Sequence, residues 1–517
     1  MSNKKRNKWI LAVILMLQIL LLMYLTWKFG TQRLDGDDSA EMILANLLAR
    51  EGGLLSRNWL YSTEIRVLNT QIVMSLLFRI FDDWRLVRTL GTGILLCILA
   101  SSYLFMCRNL PEGDHLAKWA PVLLLPFSYV YYDIVLFGLY YIPHISILFT
   151  SLGLLTQKKK NSFLTIILLV ILAFFAGMGG IRIPAVGYAP MFAAGLLMWL
   201  MNRNNKQLCL RSFIACVATG VGYLVNLLVL RHLYQFQSRS YIRPVVPDLH
   251  SAATVAKNTV QVFGGGKPAL SFAGFSNTAG LLIFLCGIFL LVLIVKERKH
   301  VSSSLQFVIL AFIISWFATA LAGVCTNNGW SNRYAILPCM GMIPVLAGGT
   351  GLFKEKGKRT LTALLTVCFL ICSTNYIYRF AKEDKLETVR PAYQYILDSG
   401  FTFGYSNWEV GDVLTEITDG KVHMCKVQNF ANLWRWGWLM EKDYMKYTEG
   451  VPVFLLLDKG RFTSVGPDRG YFYGEWTEAD MIWKEKAKVG FEDENYVVWV
   501  FSSEKEFEEI TGSLPLK

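Results

Sequence analysis

Four carboxylates, Asp35, Asp37, Asp38 and Glu41, fall within the seven residues DGDDSAE of a chain that is otherwise basic. A carboxylate held at the start of a helix can take a proton from a hydroxyl nucleophile, because a general base needs fixed geometry more than an unusual sequence. When that hydroxyl displaces a phosphate, no acid is needed to help the leaving group, and only positive charge must meet it. Two arginines in short connections fit that need, Arg182 in GMGGIRIP and Arg333 in NNGWSNRYAILP. Arginines among apolar segments are costly and usually face a cavity or a partner. A plainer reading is local. Asp38-Ser39-Ala40-Glu41 has the spacing of a capping box, with Asp38 as N-cap and Glu41 reaching back. Asp35 and Asp37 are then solvated loop acids, and the arginines cap carbonyls or extend to water. Capping accounts for Asp38 and leaves Asp37 over, so Asp37 is the favoured base, with Asp38 as the alternative and Glu41 as a substrate contact.

The elements that must position these residues are membrane spans. Hydrophobic residues make up 54% of the 517 and charged residues 17%, against about a quarter charged in soluble domains. The Lys and Arg behind the net charge of +13 sit between apolar runs, the pattern of cytoplasmic loops and not of a nucleic-acid surface. The first run, Trp9–Phe29, follows Lys4, Lys5, Arg6 and Lys8 and has no small-residue cleavage site. It reads as a retained anchor with a cytoplasmic N-terminus, which puts the acidic cluster outside the cell. Ten further spans fit at about 86–107, 119–137, 140–156, 163–179, 183–201, 208–230, 279–295, 305–323, 335–353 and 360–378, each near the length that crosses ~30 Å of hydrocarbon. Alternation then places Arg108–Lys118, QKKKN, NRNNK, KERKH and KEKGKR inside, while the outer turn 131–141 has no Lys or Arg. The ten cysteines form no CxxC pair, and most lie in apolar runs as small hydrophobes, so neither a disulfide framework nor a zinc site is expected.

Three segments remain outside. Residues 30–85 carry two amphipathic patterns, one through Ala40, Ile43, Leu44, Leu47 and Leu48, the other through Ile65, Leu68, Ile72, Leu76 and Ile80. Both predict interfacial helices. Residues 235–277 form a long loop around GGGKP, of the kind that acts as a lid or binding element. From about 381 the composition turns charged and aromatic, and strand-like FTFGY, PVFLLL and NYVVWVF alternate with helical patterns at 386–398, 409–418 and 504–511. The fold class expected is a polytopic α-helical membrane protein of about eleven transmembrane helices over residues 1–380, followed by a small external α/β domain over 381–517.

Further candidates have ordinary alternatives. Trp59, Tyr61, Glu64 and Arg66 in NWLYSTEIR could meet a sugar, though Trp and Tyr also anchor interfaces. His144, beside Tyr141 in YYIPHIS, could line the same cavity or simply pack. Lys267, beside three glycines, could approach a phosphate when its loop closes, or the loop could be merely flexible. Trp434, Trp436 and Trp438 in LWRWGWLM could bind a glycan or form a strand.

This layout resembles the GT-C superfamily of integral-membrane glycosyltransferases, which includes protein O-mannosyltransferases, aminoarabinose transferases and oligosaccharyltransferases. The resemblance rests on DGDD at the start of the first external loop, the two helices that follow, the long loop after span seven, and NRYAILP, which is similar to the Arg-Tyr-x-x-x-Pro pattern of bacterial members. It implies an inverting transfer from a polyprenyl-phosphate sugar to a hydroxyl on the external face of the plasma membrane. Asp37 or Asp38 would be the base, and Arg182, Arg333 and Tyr334 would stand at the donor phosphate. The acceptor, a cell-wall polymer, lipid or protein, is not specified. A divalent cation is the one cofactor left open, because Asp133 in VYYDIVLF has no second acid beside it. The competing readings are a flippase or transporter for lipid-linked sugars, which is commonly built from repeated halves with midplane sites, and a sensor anchored by its spans. No halves are visible here, and eleven spans exceed what an anchor needs.

Overall fold

The computed structural model describes residues 3–62, 64–65, 67–157, 163–236, 243–327, 331–428, 433–445, 450–460 and 481–513. Among these, eight helices are long and apolar enough to cross a membrane, from Lys5–Gln32 and Trp84–Arg108 through Glu355–Lys382. Two shorter apolar helices, Ile142–Leu155 and Phe163–Met178, stand where the fourth and fifth spans are expected. The expected third span is broken. Its halves, Gly113–Leu124 and Tyr129–Phe137, meet at 87°, because Pro126 forces Leu125 into extended backbone (ψ 129°) and Ser128 starts a new helix by accepting from the Tyr131 amide at 3.0 Å.

Loops that alternation puts on one side do meet there. The Glu112 carboxylate accepts from the amide and hydroxyl of Ser302 at 2.8 and 2.7 Å, and His115 lies 3.3 Å from Thr350 Oγ1. These residues flank three of the loops expected inside. On the opposite face gather the acidic cluster, the turn before His144, the connection holding Arg182, and the chain just after the last span.

The second interfacial pattern is corrected. Ile65 and Leu68 precede the helix, which runs only over Gln71–Phe78, and residues 59–61 form a strand instead. This strand, β1 (Trp59–Tyr61), pairs in parallel with β2 (Gln235–Phe236) and antiparallel with Met440–Glu441 near the C-terminus. Three segments distant in sequence are thus joined in one small sheet. The first pattern does form a helix, Gly36–Glu51, but its apolar face is covered by protein: Met42, Ile43, Leu44, Ala45, Leu47 and Leu48 are all buried.

After Lys382 the chain builds a six-stranded mixed sheet. In chain order its strands are β3 (Phe403–Ser406), β4 (His423–Gln428), β5 (Trp434–Arg435), β7 (Val453–Asp458), β8 (Lys488–Glu492) and β9 (Tyr496–Phe501), β6 being Met440–Glu441 of the small sheet. Their spatial order is β5-β4-β3-β7-β9-β8. Helices Arg390–Asp398, Trp408–Ile417 and Glu504–Thr511 accompany it. Trp408–Ile417 lies between the sheet and the acidic helix, packing on β3 and β4 as well as on Gly36–Glu51.

Candidate functional site

The acidic helix does not start as the capping box predicts. Asp35 is the N-cap: it is extended (φ −133°, ψ 177°) and its side chain accepts from the Asp38 amide at 3.0 Å. Glu41 accepts from Thr70 Oγ1 at 3.1 Å. With the cap supplied by Asp35, both Asp37 and Asp38 are released from that duty, and their surroundings separate them. Asp37 is about a third exposed, and its Oδ2 lies 3.9 Å from Arg333 Nη1. Asp38 is 4% exposed, and its Oδ1 has no hydrogen-bond partner. Burial, reinforced by the Asp35 carboxylate, holds the Asp38 carboxyl well above the usual carboxylate range.

Asp38 is packed against the turn after the broken span. A methyl group on Gly138 would lie 2.6 Å from Tyr140 Cε1, 2.8 Å from the Asp133 carbonyl oxygen and 2.9 Å from Asp38 Oδ1. The next residue, Leu139, has φ 63°, and the Tyr140 amide donates back to the Gly138 oxygen at 2.7 Å. This tight turn brings the Tyr140 ring among the acids. Burial, then the charges of Asp38, Asp37 and Asp35, raise its phenol, which stays protonated. Gly138→Ala is expected to destabilise the protein by about 1–3 kcal/mol through overpacking, read from denaturant unfolding in detergent. An unchanged midpoint would mean the turn yields without cost.

Beyond Tyr140 the cationic wall begins. Arg182 donates to the Tyr141 hydroxyl at 3.1 Å, and its Nη2 lies 3.7 Å from Glu64 Oε2. Tyr141 stands in the field of both Arg182 and Arg333, and Arg333 lies over the Tyr334 ring at 5.7 Å. Glu64, Arg182 and His144 line one recess with Val67, Leu68 and Gly180. His144 Nδ1 is 3.1 Å from the Tyr140 carbonyl, an acceptor that requires the proton on Nδ1.

The other nominated residues lie elsewhere. Trp59 is fully buried and Tyr61 nearly so. Tyr61 packs on Tyr234 and Phe236, and its hydroxyl accepts from the Ser56 amide at 3.0 Å. Both aromatics belong to the small sheet, so neither presents a ring to a sugar or to the interface. Arg66 lies outside the described residues. Lys267 is exposed, and its glycines are packing sites, since a methyl on Gly264 would meet the Phe127 carbonyl oxygen at 2.4 Å. Trp436 and Trp438 stack on each other at 5.2 Å, while Trp434 is exposed on β5.

Several members of the site carry no sequence signal. Lys385, beyond the last span, lies 3.7 Å from Asp35 and 3.4 Å from Asp133, and Asp133 also meets Arg33 at 3.9 Å. Asp133 is therefore part of the acidic cluster after all, with an ammonium between it and Asp35. Among the described residues no three His, Cys, Asp or Glu side chains converge as a metal site.

No protein-family model matches the sequence, and no curated protein matches it significantly. Solved structures do match. ArnT from Cupriavidus metallidurans in the apo state superposes with a TM-score of 0.56 at 10% identity, covering 96% of this chain and 98% of that one. The chain shares the fold of that ArnT. The same ArnT bound to undecaprenyl phosphate matches with a TM-score of 0.55 at 9% identity, over 95% and 97% of the two chains. The likeness to ArnT thus runs through the spans and into the C-terminal sheet, and at this identity it is a likeness of fold.

Proposed function

We propose that this protein is a membrane glycosyltransferase that moves a sugar from a polyprenyl-phosphate donor to a hydroxyl acceptor at the outer face of the plasma membrane. The observation that carries the reading is the meeting of Asp37 with Arg333 beside the recess held by Arg182 and Glu64. A base and a phosphate-binding wall stand within one arrangement. Asp37 takes the acceptor proton while the hydroxyl oxygen attacks the anomeric carbon. The bond from that carbon to the phosphate oxygen breaks with inversion, and the lipid phosphate departs as an anion onto Arg182 and Arg333. The 3.9 Å pair between Asp37 and Arg333 is loose for a charge-assisted bond, so an incoming phosphate competes for the guanidinium and releases the carboxylate. Tyr141 and Glu64 hold Arg182 in place, Tyr334 lies under Arg333, and His144 lines the recess. Neighbouring ArnT bound to undecaprenyl phosphate supports a polyprenyl lipid as donor. Gathering of Asp37, Arg333, Arg182 and Glu64 at the ends of the spans supports transfer over transport.

Binding of undecaprenyl phosphate to the purified full chain tests the donor side. Arg333→Ala and Arg182→Ala are each expected to weaken it about 10- to 100-fold, the worth of one charge-assisted hydrogen bond. Unchanged affinity in both would sink the donor assignment. Mass spectrometry of surface glycans from cells with and without this chain identifies the product, and identical glycan profiles count against the transferase reading.

A further inference from the structure

We infer that Arg88 and Glu416 form a positioning pair through which the C-terminal domain holds the acidic turn in register for catalysis. The inference rests on the transferase reading above for its effect on turnover, but its geometry is independent of it. Arg88 lies near the start of the second span, Trp84–Arg108, and is 5% exposed, and Glu416, on helix Trp408–Ile417, is equally buried. Their bond is bidentate, Nε to Oε1 at 2.6 Å and Nη2 to Oε2 at 2.8 Å. Nη2 also donates to the main-chain oxygen of Asp38 at 3.0 Å, and the guanidinium sits over Phe137 at 5.9 Å. One side chain thus ties together the second span, the domain, and the backbone of the acidic helix.

The same domain helix touches the other side of Asp37. A methyl on Gly36 would lie 2.7 Å from the Trp408 carbonyl oxygen and 3.0 Å from its ring. Residues 36 and 38 are therefore both gripped, while Asp37 between them keeps about a third of its side chain exposed. The far end of the helix is fixed as well, where the Asp419 carboxylate accepts from the Trp84 amide at 3.1 Å. A buried ion pair contributes little to stability against well-packed apolar replacements. Its fork geometry fixes orientation instead.

A second cross-link supplies the control. Arg50, near the other end of the acidic helix, pairs with Glu441 of the domain at 2.7 Å. It docks the same two bodies without touching the acidic turn. In the full chain, Glu416→Gln is expected to speed amide exchange over residues 36–40 by about 10-fold or more, the equivalent of one charged hydrogen bond. Glycan product is expected to fall by at least about 10-fold, through kcat, with undecaprenyl phosphate binding unchanged. Glu441→Gln is expected to speed exchange only near residues 48–60 and to leave the product at the parent level. Should Glu416→Gln not yield folded protein, Arg88→Lys keeps the charge, loses the fork, and is expected to show the same exchange pattern. Equal effects of Glu416→Gln and Glu441→Gln on residues 36–40 would mean that the pair merely docks the domain, and unchanged exchange there under Glu416→Gln or Arg88→Lys overturns the inference. If the parent chain makes no glycan product, the transferase reading fails, while the exchange measurement still decides whether the pair holds the turn.

Discussion

Asp37→Asn is expected to lower sugar transfer by about 10²–10⁴-fold, the usual cost of losing a general base, while leaving undecaprenyl phosphate binding within about twofold of the parent. The substitution is nearly isosteric, and Asp37 is the acid of the pair that solvent and Arg333 can reach. Asp38→Asn is expected to cost less activity, because burial already favours a proton on Asp38. It carries a second signature. The folded-state pKa of Asp38 lies above its unfolded value, so the native protein binds that proton more tightly. The resulting stability is full below the unfolded value near 3.8 and is lost as pH rises through the folded one. Removing the carboxylate in Asp38→Asn is therefore expected to flatten the loss of thermal stability between acid and neutral pH. An Asp37→Asn protein that turns over at the parent rate, or an Asp38→Asn protein that is the more damaged of the two, reverses the assignment.

Lys426→Met is expected to destabilise the C-terminal domain by about 3–5 kcal/mol, the cost of stranding a buried charge. Lys426 is fully buried, 2.5 Å from Asp412, and its ammonium donates to the Trp438 and Leu439 carbonyls at 2.8 and 2.7 Å. Burial pushes the Asp412 carboxyl up to about 6 in spite of that ammonium, and pushes Lys426 down. Replacing both, in Asp412→Leu with Lys426→Met, removes the desolvation cost along with the attraction and is expected to recover most of the loss. The pH dependence has a definite sign. Asp412 binds its proton more tightly folded than unfolded, so its contribution is present below about 3.8 and lost as pH rises through about 6. The parent is expected to melt higher at pH 5 than at pH 7, and the double variant to lose that part of the slope. Denaturant unfolding of the full chain measures the first claim, and a single variant as stable as the double would refute it.

The spans were legible because hydrophobic length is a local property, read without any help from tertiary structure. Asp37, Arg182 and Arg333 were legible as types, and the fold brings them to one place. The N-cap was misread since Asp35 and Asp38 both stand ahead of an apolar pattern, and only backbone geometry distinguishes an extended Asp35 from a helical Asp38. Trp59 reads locally as a sugar contact or an interfacial anchor because its buried state depends on strands some 175 and 380 residues away, which no local pattern announces. Lys385, Arg88 and Glu416 were invisible for the same reason. Each is an ordinary charged residue made special by a partner remote in the chain, and Arg88 finds Glu416 across 328 positions.

That separation bears on how the protein comes into being. The acidic helix emerges early and can pack on helix Gln71–Phe78 soon afterwards, whereas its neighbours Trp408–Ile417 and Met440–Glu441 come only with the last part of the chain. At 5–20 residues per second a ribosome needs roughly 15–65 s to make the 328 residues between Arg88 and its partner. Throughout that interval the nascent helix lacks its final neighbour, and the junction of Arg88 with Glu416 closes only after the C-terminal sheet has folded. Synthesis itself thereby acts as a timer on when that junction can first form.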